Sequence, residues 1–259
     1  MGSENDRFDT PPPAVPPTPP SPWGAPASAP EREGGEGGGE GRERIFNAPL
    51  PPLLVALSMP ILFFLQERLP DEGLRWAFFP NALVNGGWWP GVLTSMALHG
   101  GWAHALMNAG FALAFGPPVA RLFRGLKGGF IFFAYYIVCG LVGTLGYGLV
   151  HLGGDAPMVG ASGAVTGLLG GAIRLLGTGG RLRPLTDRTV VTTGAVILIL
   201  NAATGLIGFA PGVEGAGIAW EAHAFGFLAG LLLIGPLNRW FGKPPAGFAS
   251  SAGLGDPRG

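Results

Sequence analysis

Residues 219–237, AWEAHAFGFLAGLLLIGPL, decide how this chain is read. The run is apolar over about the ~20 residues that a helix needs to cross a bilayer core. It nevertheless carries His223, and ionisable groups inside such runs are costly and by default mark function. Gly226 and Gly230 follow three and seven positions later, on the same helical face as the histidine. Their missing side chains let another backbone come close. Residues 162–177, SGAVTGLLGGAIRLLG, offer a matching strip of Gly163, Gly167 and Gly171. Packed strip against strip, the two segments would bring Ser162 within hydrogen-bond reach of His223.

The rest of the chain supports a membrane setting. Of its 259 residues 47% are apolar and only 12% charged, where a soluble domain carries about a quarter charged residues. Apolar stretches lie at roughly 50–66, 102–122, 128–152, 162–177, 189–209 and 219–237. The expectation is an all-α integral membrane protein, a bundle of six transmembrane helices. The fourth stretch is short and ends near Arg174, so either it is partly immersed or Arg174 snorkels to the interface. The long link at about 67–101 holds Trp76, Phe78, Phe79, Trp88 and Trp89. Such aromatics suit a partly embedded extracytoplasmic loop better than a seventh span.

The helical domain is expected over 45–241, between two tails. Residues 1–44, rich in Pro, Gly and Glu, cannot bury enough apolar surface to offset their ordering entropy and read as disordered; 242–259 read as a short flexible tail. The N-terminus lacks the charged-then-apolar start of a cleavable signal peptide. Zero formal net charge gives no hint of a nucleic-acid partner. Cys139 is the sole cysteine, which excludes an internal disulfide and a cysteine metal cluster; it reads as a small buried hydrophobe.

Charge alternates between links. Arg121, Arg124 and Lys127 follow the second stretch, Arg181, Arg183 and Arg188 the fourth, Arg239 and Lys243 the sixth. The intervening links hold Asp155 and Glu214 without a cation, while Arg68 and Arg75 in the first are offset by Glu67, Asp71 and Glu72. This is the pattern of six spans with both termini in the cytoplasm.

Few residues in these stretches could do chemistry. In Gly160-Ala161-Ser162-Gly163, the serine opens a helix whose free N–H groups favour an oxyanion; taken alone, the same setting describes an N-cap serine. It is not the Gly-x-Ser-x-Gly elbow of soluble hydrolases, since Ala164 closes the pattern. Alone, His223 is equally a metal or haem ligand or a packed polar residue. His104 and Asn108, four apart, share one helical face and alone are equally polar glue between helices. Asn201 reads as glue of the same kind rather than a site residue, the alternative, and His151, at the outer end of the third stretch, as a solvated residue or one that touches substrate.

Together, His99, His104 and Asn108, then Gly160-Ala161-Ser162-Gly163, then His223 with Gly226 and Gly230, resemble the rhomboid intramembrane serine proteases in order and in placement on the spans. The resemblance covers roughly residues 48–240. It implies Ser162 as nucleophile and His223 as general base, in a dyad. It implies an oxyanion hole from His104, Asn108 and the Ser162 N–H. His99 would be structural, and Gly160, Gly163, Gly226 and Gly230 would support packing. No metal or cofactor is implied. The substrates would be single-span or multi-span membrane proteins in the bilayer. Separately from the resemblance, the Gly/Ala/Arg-rich composition without an organelle-targeting sequence leans towards a bacterial inner membrane. The other reading within the family is an inactive client-binding relative, which would lack Ser162 or His223.

No acidic third member is expected. Glu221 is close to His223 in sequence, but two helical residues are ~200° apart and face opposite ways. Departures from the family pattern are Thr166, where an aromatic often stacks on the histidine, Ala120 in place of a glutamate, and Trp89-Pro90 in place of Trp-Arg. The stacking is either missing or comes from elsewhere, with Tyr135, Tyr136 or Tyr147 of the third stretch as candidates.

Overall fold

The computed structural model describes residues 48–208 and 217–242. Both expected tails, apart from Gly242, and Glu214 lie outside the described residues. Eight α-helices are described: α1 (Leu50–Gln66), α2 (Asn81–Asn85), α3 (Gly91–Thr94), α4 (Trp102–Ala120), α5 (Gly125–Val150), α6 (Ser162–Ile173), α7 (Arg188–Ile207) and α8 (Trp220–Phe241). Short 3-10 turns occupy Pro70–Trp76 and Ser95–Ala97. No strand forms among the described residues.

Helix ends follow local chemistry. Proline in the first turn of α1 wastes no hydrogen bond, because the N–H it lacks has no intrahelical partner there. Asp187 caps α7 by accepting from the N–H groups of Thr189 (2.9 Å) and Val190 (3.4 Å). The described part of α7 closes on Gly208 in the left-handed region, where glycine lacks the Cβ penalty.

By length and composition α5, α7 and α8 can cross a membrane. Helices α1 and α6 are apolar but shorter, at 17 and 12 residues. Helix α4 has 19 residues, and His104, Asn108, Pro117 and Pro118 dilute its apolar character. The 67–101 link breaks into short helical pieces.

The centre of the molecule is the seam between α6 and α8. A methyl built on Gly226 would land on the carbonyl of Gly163, and one on Gly230 on the carbonyl of Gly167. The third glycine expected in the strip departs from it. Gly171 faces Val119 and the Tyr135 hydroxyl, and Gly170 instead meets the Phe227 carbonyl. Each four-residue step turns a helix by about 40°, so a glycine two steps on has rotated out of a straight seam. Gly143 of α5 closes the seam from the side, 2.7 Å from the Ala222 carbonyl if given a Cβ.

Arg174 does not lie free. Its side chain is buried, with Nε donating to the Arg183 carbonyl (2.9 Å) and Nη1 to the Leu231 carbonyl (3.0 Å). One acceptor is a link carbonyl and the other a carbonyl in the middle of α8, whose second lone pair can take a donor from the buried guanidinium.

Candidate active site

Ser162 is the first residue of α6. The residue before the helix is Ala161, and no side chain caps its N-terminus, so the N-cap alternative for Ser162 does not hold. The approach to the serine is pinned from the 67–101 link. Phe78 and Met158 exchange backbone hydrogen bonds of 3.0 and 2.8 Å, and the Gly160 N–H donates to the Ser95 carbonyl at 2.9 Å. Gly160 has φ +126° and the His104 ring against it. A side chain there would meet both a disfavoured backbone and the imidazole, 2.8 Å from a built Cβ.

The glycine seam sets the central distance. His223 Nε2 lies 2.8 Å from Ser162 Oγ, a normal hydrogen bond. On the other side of the ring, Nδ1 lies 3.0 Å from Asn201 Oδ1. Asn201 Nδ2 donates to the Trp220 carbonyl at 2.7 Å. Asn201 does bridge α7 and α8, as glue between helices would. Its contact with His223 could not be read from spacing, because 22 residues separate them and they lie on different helices.

His104 stands beside Gly160 and Ser162. The Gly100 N–H approaches its Nδ1 at 3.3 Å, which makes Nδ1 the acceptor and leaves Nε2 as the N–H donor. Asn108 lies one turn further along α4. It is buried, and its Nδ2 has no hydrogen-bond partner among the described residues. The α6 N-terminal N–H groups and His104 Nε2 are donors beside Gly160, and the Asn108 amide is an unpartnered donor one turn further along α4. A buried donor without a partner is costly, and an oxyanion is a ligand that would satisfy it.

His99 is 1% exposed. Burial, and secondarily His104, pull its pKa from 6.5 to about 4, so the ring is neutral at ordinary pH. It meets His104 edge-on at 5.3 Å. Its backbone is clamped by Gln66, which accepts from the His99 N–H and donates to its carbonyl, both at 2.8 Å. Gln66 is a residue that sequence reading missed. A polar residue at the end of an apolar run was its only signal.

Where the family often stacks an aromatic on the histidine, Thr166 offers a hydroxyl. Thr166 Oγ1 lies 2.9 Å from the carbonyls of Ser162 and Gly163 and 3.0 Å from that of His223. With one proton it donates to one of them at a time. Tyr135 donates instead to the Gly167 carbonyl (2.8 Å), and Tyr147 packs on His151 at 4.4 Å. His151 is not simply solvated. Its Nε2 lies 3.0 Å from Glu221 Oε1, so Glu221 turns towards α5 and away from His223.

Beside Ser162 is a cavity of about 10 Å³, lined among others by Gly140, Thr144, Met158, Gly160 and Ala222. That is about the room one water needs. Among the described residues no three His, Cys, Asp or Glu side chains converge as a metal site.

Fold and site define a helical membrane protein with a polar centre built around a hydrogen-bonded serine and histidine. The chain belongs to the rhomboid family: the Rhomboid domain model matches residues 85–239, which include Ser162, His223 and Asn201. It is 32% identical to RHOMBOID-like protein 5 of Arabidopsis thaliana, over 74% of this chain and 52% of that protein. It is 30% identical to Rhomboid protease GluP of Bacillus subtilis (strain 168), over 75% of this chain and 35% of that protein. RHOMBOID-like protein 4 of Arabidopsis thaliana matches at 34% identity, over 55% of this chain and 32% of that protein. The matched region thus spans about a third to a half of the length of these relatives.

Proposed function

We propose that this protein is an intramembrane serine endopeptidase that cuts transmembrane segments of other membrane proteins. One observation carries the reading: Ser162 Oγ and His223 Nε2 are 2.8 Å apart at a helix N-terminus crowded with donors. His223 takes the hydroxyl proton as Oγ attacks the scissile carbonyl. The oxyanion forms against the Ser162 N–H, His104 and Asn108. Protonated His223 then gives its proton to the leaving amine, which yields an acyl-enzyme. A water activated by His223 hydrolyses that ester and restores the serine. Base catalysis of this kind contributes typically ~10²–10⁴-fold, and one oxyanion donor ~10²–10³-fold.

The six longer helices, α1 and α4 to α8, are assigned as spans around this site, with the 67–101 link partly embedded on the outer side. The short α6 fits that scheme because it begins below the surface, where its first residue can be reached by water. The basic links of Arg124, Lys127, Arg181 and Arg188 support cytoplasmic termini; a bacterial inner membrane is the setting proposed. A substrate helix must enter from the lipid and unwind, since backbone at membrane depth is otherwise bonded to itself. His99, clamped by Gln66, supports the loop that leads into α4.

The test compares wild type, Ser162→Ala and His223→Ala in liposomes. The substrate is a single-span protein with small, helix-breaking residues near its outer end. Cleavage by wild type alone, insensitive to chelators, is expected. Cleavage surviving in pure Ser162→Ala would remove the reading. Failure of wild type both to cleave and to react with a fluorophosphonate at Ser162 would favour an inactive client-binding relative.

A further inference from the structure

Asn201 sits well inside α7, and its amide makes two hydrogen bonds to α8. The Trp220 carbonyl can only accept, so the amide nitrogen must face it and Oδ1 must face the imidazole. Oδ1 in turn can only accept, so His223 Nδ1 must carry a proton. A neutral imidazole holds one ring proton. Nε2 is therefore left with its lone pair, 2.8 Å from the Ser162 hydroxyl. This is the tautomer that a general base requires. Simple glue between helices needs only the bond to Trp220; the second bond, to the ring that faces the serine, is what glue does not explain.

We propose that Asn201 is a positioning residue that holds His223 in its Nδ1–H form, so that Ser162 and His223 work as two parts of a Ser–His–Asn triad. The proposal rests on the protease reading above. Its energetics follow the proton. When the serine proton moves to Nε2 the ring becomes a cation, and the Nδ1–H···Oδ1 bond becomes charge-assisted and stronger. A contact that strengthens as the transition state forms raises kcat rather than lowering KM. Reversal of the amide would present N–H to Nδ1 and force the proton onto Nε2, where it blocks the serine. The Trp220 carbonyl opposes that reversal. The indole of the same Trp220 packs on Gly205, one turn beyond Asn201, which fixes α7 against α8 at this level.

The experiment uses the full chain in liposomes, with wild type, Asn201→Ala and Asn201→Asp. Asn201→Ala is expected to lose about 10- to 100-fold in kcat, the range of a hydrogen bond to a charged group, with KM within about twofold. Asn201→Asp keeps an acceptor at Nδ1 and should recover most of that loss, although its bond to Trp220 is gone. A second readout needs no substrate. Nitrogen NMR of histidine-labelled protein, with His223 assigned by its disappearance in His223→Ala, should show Nδ1 protonated in wild type and the proton shared with Nε2 in Asn201→Ala. An Nε2–H ring in wild type, or an unchanged tautomer in Asn201→Ala, overturns the proposal. So does unchanged kcat in Asn201→Ala, or equal loss of kcat and thermal stability in both variants. If wild type cleaves nothing, the protease reading fails while the NMR arm still decides the role of Asn201.

Discussion

Helices α6 and α7 are consecutive in the chain and opposite in how they are held. Nine of the twelve residues of α6 are buried, against two, Val190 and Gly194, of the twenty in α7. In lipid, apolar surface gains nothing by leaving one hydrocarbon for another, so tight association comes from close backbone approach and polar contacts. Helix α6 has that approach, through glycines on both sides of the seam. Helix α7 has little of it and turns Val191, Val196, Ile199 and Leu200 outward. The difference teaches that the 2.8 Å contact between Ser162 and His223 is set by backbone packing, while α7 reaches the site through one side chain.

The sharpest attempt to break this contrast is a bulky residue in the seam. Gly226→Val places atoms on the Gly163 backbone and is expected to cost about 3 kcal/mol or more and to abolish cleavage. Denaturant unfolding in detergent measures it. A stable, active Gly226→Val would show that the seam does not set the geometry.

Next in size is an acid effect at the rim. His99 has its pKa lowered to about 4, so the folded state binds fewer protons there than the unfolded chain, whose histidine titrates near ~6.5. Its stabilising contribution is whole above pH ~6.5 and is lost as the pH falls towards 4, on the order of 3 kcal/mol when complete. Thermal unfolding between pH 7 and pH 4 should show the decline, and His99→Gln should flatten it. Parallel curves for the two proteins would dismiss His99 as the group responsible.

Gln66→Ala removes both bonds to the His99 backbone and strands two polar groups, for an expected cost of about 2 kcal/mol. Unfolding at pH 7 measures the loss. Thr166→Val deletes the hydroxyl shared between α6 and α8; about 1 kcal/mol is expected, visible as a lower unfolding midpoint. The smallest effect belongs to α7. In Gly194→Ala the new methyl meets Phe227 at 3.7 Å, ordinary contact, and the change should stay within about 0.5 kcal/mol. A loss as large as that of Gly226→Val would erase the contrast between the two helices.

The sequence by itself determined what depends on short-range periodicity. Apolar runs with the composition of membrane helices, the glycine spacing around Ser162 and His223, and the pairing of His104 with Asn108 on one face are all local patterns. Geometry within one helix follows from 3.6 residues per turn, which is also why Glu221 could be turned away from His223 without a structure. Tertiary structure alone decided the contacts that depend on how each helix is rotated and placed against its neighbours. It put Gly170 rather than Gly171 on α8, drew Arg174 inward onto backbone carbonyls, paired His151 with Glu221, and set Gln66 on His99. Above all it brought Asn201 to His223. A lone asparagine in an apolar helix has the same sequence signature whether it faces a carbonyl, a lipid or an imidazole, and only the azimuth of α7 against α8 separates the three.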